Sequence, residues 1–283
     1  MKLYIIVPTF DRIEHINNLI NTLEGQSYSN YILVVVDHGN KKIKITNTSK
    51  IIYLKASNDL WWSGAINCGI RFVLDKNKNK NFPILIINDD VIIAKADYLS
   101  NLMDYWLKNP TNLVGSVCAS EFGKIIYCNM IYNFWKAKLN YQFKDDIIGD
   151  LRNEVYESDV LKGRGTLIPS PVFNKIGLFN EKYLPHYKAD HELSFRASKS
   201  GHKLVVLRNA LLYSELNSPN EFDKQNKLRS IWNILTGIRS VNNLKDLFFY
   251  SFLCFSPFYG IYYFLMNSSK ILLINLKYSI SKW

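Results

Sequence analysis

The chain opens with four short apolar runs, each closed by polar residues and separated by stretches whose apolar positions recur at helical spacing. Leu3-Tyr-Ile-Ile-Val7 reads as a buried strand. Pro8, Thr9 and Asp11 end it, and Ile13, Ile16, Leu19, Ile20 and Leu23 then mark one face of a helix. Ile32-Leu-Val-Val-Val36 gives a second strand that stops at Asp37-His38-Gly39-Asn40. The third, Ile51 to Leu54, precedes Asn58-Asp59-Leu60-Trp61-Trp62-Ser63-Gly64-Ala65 and a helix through Phe72 and Val73. The fourth, Ile84 to Ile87, ends abruptly in Asn88, Asp89 and Asp90.

Strands alternating with helices predict an α/β fold with a mainly parallel sheet, whose ligands bind beyond the carboxyl ends of the strands. Thr9, Asp11, Asp37, Asn88 and Asp90 all fall at those ends. No Gly-x-Gly-x-x-Gly follows the first strand and no Gly-x-x-x-x-Gly-Lys-Ser/Thr occurs, which argues against a dinucleotide fold or a P-loop nucleotide hydrolase. Carboxylates at a strand end suit a hard divalent ion that takes its other ligands from water and substrate phosphates. Each of these residues also has a plain structural reading. Asn and Asp form turns, Thr9 and Asp11 fit helix caps, and Gly64 and Asn67 fit close helix packing. Trp61 and Trp62 fit either a core or a site wall.

The second half continues the pattern. Gly163-Arg-Gly-Thr-Leu-Ile168 predicts a strand, Pro171 opens a short helix through Val172 and Ile176, and Gly177 ends it. An aromatic loop, Leu178 to Ala189, leads into a helix carrying Leu193, Phe195, Arg196 and Ala197, with Asp190 at the expected N-cap. A later strand lies near Leu204 to Leu212.

Taken in order, Val7-Pro-Thr-Phe-Asp-Arg12, Val35-Val-Asp-His-Gly39, Gly64-Ala-Ile-Asn-Cys-Gly69, Ile87-Asn-Asp-Asp90 and Ala189-Asp-His-Glu-Leu-Ser-Phe-Arg196 resemble glycosyltransferase family 2. The resemblance covers roughly the first three quarters of the chain and rests on five motifs in series. It implies an A-type glycosyltransferase fold, a Rossmann-like, mainly parallel sheet flanked by helices, and an inverting enzyme. It also implies that Pro8, Thr9, Asp11, Asp37, Asn67, Asn88 and Asp89 face a nucleotide sugar, that Asp90 with Asn88 holds Mg2+ or Mn2+, and that Asp190 is the general base. An inverting transfer needs one base for the acceptor proton, while the leaving diphosphate needs positive charge. Glu192 stands four residues before Arg196, an ion-pair spacing, and is assigned support. His186 and His191 read as surface residues or acceptor contacts.

The chain departs from the family at three places. Asn88 replaces the first acid of an Asp-x-Asp motif, Trp61-Trp62 replaces a Gly-rich loop, and Leu212-Tyr-Ser-Glu215 lacks a late His, leaving Glu215 or water as the extra metal ligand. Against a sugar nucleotidylyltransferase, Pro8-Thr-Phe-Asp-Arg12 stands where that class carries a Gly-rich loop. A catalytically silent, membrane-associated nucleotide-sugar-binding or scaffold protein remains the rival reading.

At 283 residues, 48% hydrophobic, the chain can bury a large core without disulfides. Cys68, Cys118, Cys128 and Cys254 lie at no metal spacing and are expected to stay reduced. The net charge of +11 comes from scattered lysines, including Lys41 to Lys44 and Lys76 to Lys80, without aromatic interleaving, so no nucleic-acid partner is expected. The opening apolar run is too short for a signal peptide, which predicts a cytoplasmic enzyme.

Leu247 to Ser269 carries no formal charge and is rich in Phe and Tyr, with Lys245, Lys270 and Lys277 flanking it. It reaches spanning length, yet Pro257, Gly260 and the tyrosines favour docking on an anionic membrane surface, with a core or oligomer interface as the alternative. Residues 1–216 are expected to form the catalytic domain, split near 110 into donor and acceptor halves, and 217–283 a helical, membrane-associating segment. The expected activity moves a sugar from a nucleotide-diphosphate sugar to a hydroxyl of a glycan acceptor, lipid-linked and at the inner membrane face. Nothing in the pattern sets an oligomeric state.

Overall fold

Strand β1 (Leu3–Thr9) runs through the middle of a ten-stranded sheet, and its alternate residues face two separate cores. The computed structural model describes residues 1–283 except 42, 44, 79, 215–226 and 281–283. In chain order the elements are β1, α1 (Ile13–Glu24), β2 (Tyr31–Asp37), β3 (Ile51–Lys55), α2 (Trp61–Lys76), β4 (Pro83–Ile86), β5 (Val91–Ile92) and α3 (Tyr98–Lys108). Then follow β6 (Leu113–Ala119), β7 (Ile125–Tyr127), β8 (Met130–Asn133), β9 (Lys138–Tyr141), β10 (Val155–Glu157), β11 (Thr166–Pro169), α4 (Ser170–Ile176) and α5 (Ala189–Lys199). The last are β12 (Leu204–Ser214), α6 (Lys227–Thr236), α7 (Leu244–Cys254) and α8 (Pro257–Ile280).

The sheet order is β10-β12-β6-β11-β4-β1-β2-β3. Pairs β1/β2, β2/β3, β1/β4 and β6/β12 are parallel. Strand β11 is antiparallel to both β4 and β6, so it enters the sheet at the edge where its parallel neighbours leave it. On one face Leu3, Ile5 and Val7 pack with Ile16, Leu19 and Leu23 of α1 and with Leu99, Leu102 and Trp106 of α3. On the other, Tyr4 and Ile6 pack with Ala65, Ile66 and Ile70 of α2 and with Leu193 and Ala197 of α5. This two-sided burial is why these strands read as continuous apolar runs.

The C-terminal aromatic run divides between two roles. Chain direction breaks at Phe255-Ser256, giving helices α7 and α8 in place of one long one, and among the described residues no helix is long and apolar enough to cross a membrane. The inner face is core: Leu247, Tyr250 and Cys254 are buried, Phe255 meets Phe195 edge-on with ring centroids 5.1 Å apart, and Lys199 Nζ donates to Cys254 O. The outer face, with Phe248, Phe258, Ile261 and Leu265, is exposed. Helix α8 also lies over the β8–β9 hairpin. Tyr259 and Tyr262 hydroxyls donate to the carbonyls of Phe134 and Trp135, Asn267 to that of Ala137, and Lys270 to that of Lys136. The four cysteines are free, three of them buried.

Candidate active site

At the carboxyl ends of the parallel strands the chain gathers its charged and polar side chains. β1 and β4 are neighbours although β2 and β3 lie on the far side of β1, so a topological switch point falls between them. There Thr9, the last residue of β1, donates through Oγ1 to Asp89 Oδ2 at 2.8 Å, and Arg12 Nη1 reaches Asp89 Oδ1 at 3.3 Å. Burial pushes the Asp89 carboxyl above its ordinary value, against the opposing pull of Thr9 and Arg12. Neither Thr9 nor Asp11 caps α1, whose N-cap is Arg12. Pro8 lies inside β1, in register with Val36 of β2.

Asp37, at the tip of β2, is fully buried and holds three partners. Its Oδ1 accepts from the Gly39 N–H, and its Oδ2 accepts from Tyr53 Oη at 2.6 Å and Lys55 Nζ at 3.0 Å. Burial, then the bond to Asp37, pushes the Tyr53 phenol up to about 12. Asp11, at φ +56°, accepts the Lys41 N–H on Oδ1 at 2.7 Å and so ties the loops after β1 and β2 together.

Asn88 has its Oδ1 taken by the indole N–H of Trp62 at 2.9 Å. The Trp62 ring stands edge-on to Phe179 and lies against Gly163, where a Cβ would come within 2.4 Å of two ring carbons. Gly163 is therefore there for close approach. Its N–H donates to Asp190 Oδ2 at 3.1 Å. The next residue, Arg164, places Nη2 2.8 Å from Asp90 Oδ2 and Nη1 3.1 Å from Ser214 Oγ at the end of β12. Two successive residues thus connect the carboxylates of Asp190 and Asp90, one by its backbone and one by its side chain.

Helix α5 starts two residues earlier than expected. Lys188, at φ +65°, is the N-cap, and Asp190 lies within the first turn. Its Oδ1 accepts the His191 N–H at 2.9 Å. Burial works to raise the Asp190 carboxyl, but the Lys162 ammonium and the N–H groups of Gly163 and His191 outweigh it, so its pKa is lowered and the group is ionised. Lys162 Nζ lies 2.7 Å from His191 Nε2; burial first, then that lysine, holds the imidazole down at about 3 and neutral. His186, expected as a surface residue or an acceptor contact, faces the Trp61 ring edge-on and is pushed down to about 4 by burial and then by Arg239. Arg239, from the C-terminal segment, lies over the rings of Phe10 and Trp61 at 5.8 and 5.7 Å.

Two expectations change on this geometry. Asn67 spends its amide on the loop before α5: Nδ2 donates to Phe179 O and to Glu181 Oε2, both at 2.9 Å, and Oδ1 accepts the Phe179 N–H. Its side chain is a strut, with no donor or acceptor directed to the strand tips. Glu192 does pair with Arg196, but the pair is no exposed helix bridge. Glu192 is 2% exposed, both its oxygens accept from Arg196 at 2.6 and 2.7 Å, and Arg196 also donates to the carbonyls of Ile176 and Leu178.

Arg12, Lys55 and Arg164 carry charges at the site that motif reading did not assign. Lys55 ends its strand as Asp37 ends the neighbouring one, a signal available in the pattern; Arg239 had none. For a divalent ion, the Asp90 carboxylate and the second lone pair of the Asn88 amide oxygen are hard donors of the right kind. Among the described residues no three His, Cys, Asp or Glu side chains group to hold a metal. The donor set fits an ion that completes its shell with diphosphate and water. Glu215, the expected alternative to the late His, lies outside the described residues.

A mainly parallel sheet with its polar cluster at the switch point is the A-type glycosyltransferase fold, and solved members share it. GalNAc-T7, crystallised with UDP, GalNAc and Mn2+, matches with a TM-score of 0.57 at 11% identity, over 84% of this chain and 49% of that one. The mannosyltransferase PcManGT of Pyrobaculum calidifontis, in complex with GDP-Man and Mn2+, gives 0.56 at 13% identity, over 96% and 70%. The chain belongs to glycosyl transferase family 2, whose family model matches residues 4–161. It is 27% identical over 198 residues to the uncharacterized glycosyltransferase RP339 of Rickettsia prowazekii, covering 68% of this chain and 57% of that protein. Over 125 residues it is 26% identical to the O-antigen chain rhamnosyltransferase RfbN of Salmonella typhimurium, covering 43% of this chain and 37% of that protein. The chain therefore matches little more than half the length of the Rickettsia relative and little more than a third of RfbN.

Proposed function

We propose that this chain is an inverting glycosyltransferase that moves a hexosyl or deoxyhexosyl group from a nucleotide-diphosphate sugar to a hydroxyl of a lipid-linked glycan in cell-surface polysaccharide assembly. The observation that carries the reading is the pair of carboxylates joined through Gly163 and Arg164: Asp190 takes the 3.1 Å bond from one and Asp90 the 2.8 Å bond from the other. The donor diphosphate lies over Asp90 at the switch point, with Thr9, Asp11, Asp37 and Asp89 framing the nucleoside. The UDP and GDP-Man of the solved relatives support such a donor, and their Mn2+ supports a divalent ion. The rhamnosyltransferase RfbN supports a deoxyhexose and an O-antigen-like product.

The acceptor hydroxyl attacks the anomeric carbon from the face opposite the nucleotide and gives its proton to Asp190. The bond from the anomeric carbon to the phosphate oxygen breaks, and its electron pair leaves with the diphosphate. A divalent ion held by Asp90 and Asn88 would supply Lewis-acid charge to that leaving group. Asp190 enters the step ionised, and acceptor binding, by excluding water, raises its affinity for the proton.

A mass-spectrometric screen of nucleotide sugars, with and without Mg2+ or Mn2+, identifies the donor. Release of nucleoside diphosphate then separates an enzyme from a silent binding or scaffold protein. Asp190→Asn should retain donor binding and lose about 10²- to 10⁴-fold in turnover; full turnover in that variant would refute the base assignment.

The acceptor's lipid anchor implies work at a membrane surface, by the C-terminal segment from 217 onward together with the hairpin that α8 covers. Trp135 at the hairpin tip is 92% exposed and Phe258 at the start of α8 is 89% exposed. Residues 122–144 contain no acid and neither does the chain after Asp246, while Lys136, Lys138 and Lys270 lie in these stretches. Aromatic rings beside lysines suit an anionic lipid surface. Flotation with phosphatidylglycerol vesicles should retain the wild type and lose Trp135→Ser/Phe258→Ser; equal recovery of both would refute it.

A further inference from the structure

Arg164 has no part in the reaction as written above, yet few side chains are held so firmly at the site. It precedes β11, the antiparallel strand whose start lies among the ends of its parallel neighbours. Gly165, at φ +87°, fixes the turn: a Cβ there would meet Leu212 Cδ1 at 2.4 Å and Ser116 Oγ at 2.8 Å. Tyr127 Oη donates to the Arg164 carbonyl at 2.9 Å. The backbone is thus pinned on both sides, and the guanidinium is delivered to Asp90 and Ser214 with the side chain still 24% exposed.

The charge count around Asp90 is unusual for a cation site. Asn88 is neutral, both oxygens of Asp89 are engaged by Thr9 and Arg12, and the Asp90 carboxylate faces the permanent charge of Arg164. A strand tip that would attract a divalent ion is balanced by the protein's own cation. A guanidinium has five N–H donors in a planar fork that matches phosphate as well as carboxylate. The leaving diphosphate gains one negative charge as the anomeric C–O bond breaks, next to the place where Asp90 stands.

We infer that Arg164 is a catalytic residue that exchanges its bond to Asp90 for the donor diphosphate, so that guanidinium and divalent ion trade places on one carboxylate. Resting on the donor reading above, this assigns Arg164 two states. Without donor it neutralises Asp90 and weakens metal binding there. With donor it turns to the diphosphate oxygens, stays protonated throughout, and frees Asp90 for the ion. Proton and electron pair move as before: the acceptor proton to Asp190, the electron pair to the diphosphate.

The two states require effects of opposite sign from one substitution. Arg164→Gln keeps a neutral N–H donor on a shorter side chain but removes the charge and the fork; Arg164→Lys keeps the charge without the fork. Calorimetry with uridine, guanosine, thymidine and cytidine diphosphates in EDTA should show Arg164→Gln binding about 10- to 100-fold more weakly than wild type, the range for bonds to a charged group, with Arg164→Lys between them. Mn2+ titrated alone should bind Arg164→Gln more tightly than wild type. Turnover of Arg164→Gln should fall about 10²- to 10³-fold, as when one oxyanion donor is lost. Unchanged diphosphate and Mn2+ affinities, with only a lower melting temperature, would make Arg164 a structural partner of Asp90 and overturn the inference. If the wild type binds none of the four diphosphates and no nucleotide sugar, the donor reading itself fails and takes this one with it.

Discussion

Replacing Asn67 with Ala separates a strut from a donor contact. The wild-type side chain is fully buried and makes three hydrogen bonds, two of them to the N–H and carbonyl of Phe179, itself 4% exposed. Truncation leaves both backbone groups buried without a partner, at about 1 to 3 kcal/mol each. It also removes the bond to Glu181 Oε2, whose other oxygen is held by Arg71 at 2.8 Å. Loop relaxation returns part of this, so a net loss of about 2 to 4 kcal/mol is expected. At roughly 2 °C per kcal/mol for a chain of this size, the melting temperature should fall by about 4 to 8 °C. Donor affinity, read by calorimetry well below the melt, should stay within about twofold of wild type. Turnover should drop, because the loop from Phe179 leads into α5 and Asp190. An unchanged melt with donor affinity lost would refute this reasoning and return Asn67 to the nucleotide.

Glu192→Gln breaks a buried ion pair from one side, which costs about 3 to 5 kcal/mol; the folded enzyme should keep its turnover, and a normal melt with turnover abolished would name Glu192 as the base in place of Asp190. Gly163→Ala drives a methyl into the Trp62 ring, overpacking worth about 1 to 3 kcal/mol, and activity should fall more steeply than stability because the same ring holds Asn88 and the same N–H holds Asp190. His186 has its pKa lowered to about 4 in the fold from roughly 6.5 in the unfolded chain. Its neutral ring therefore contributes stability above pH 6.5 that is lost as pH falls toward 4. The melting-temperature difference between wild type and His186→Gln should change across that window, and a constant difference would contradict the burial.

The strands of the first half were legible because burial on both faces writes uninterrupted apolar runs, and polar residues such as Asp37 and Asp90 mark their ends. Strand direction was not legible. The run from Gly163 to Ile168 reads as a strand, but only long-range pairing with β4 and β6 makes it antiparallel, and that polarity brings Arg164 to Asp90. The spacing of Glu192 and Arg196 announced their pairing, while its burial depends on carbonyls at the end of α4 that no local pattern reveals. Asn67 followed the same logic: its motif was visible, its partner 112 residues away was not. In the aromatic C-terminal run, composition registered apolar character, but the division into an inner core face and an outer exposed one is set by contact with α5 and the hairpin.

The seat of α8 on the hairpin has an evolutionary corollary. The four bonds from Tyr259, Tyr262, Asn267 and Lys270 all end on main-chain carbonyls, those of Phe134, Trp135, Ala137 and Lys136. Any residue offers a carbonyl, so these bonds place no demand on the side chains at the tip. Substitution there is free to retune what the tip touches, residue by residue, while the helix keeps its berth.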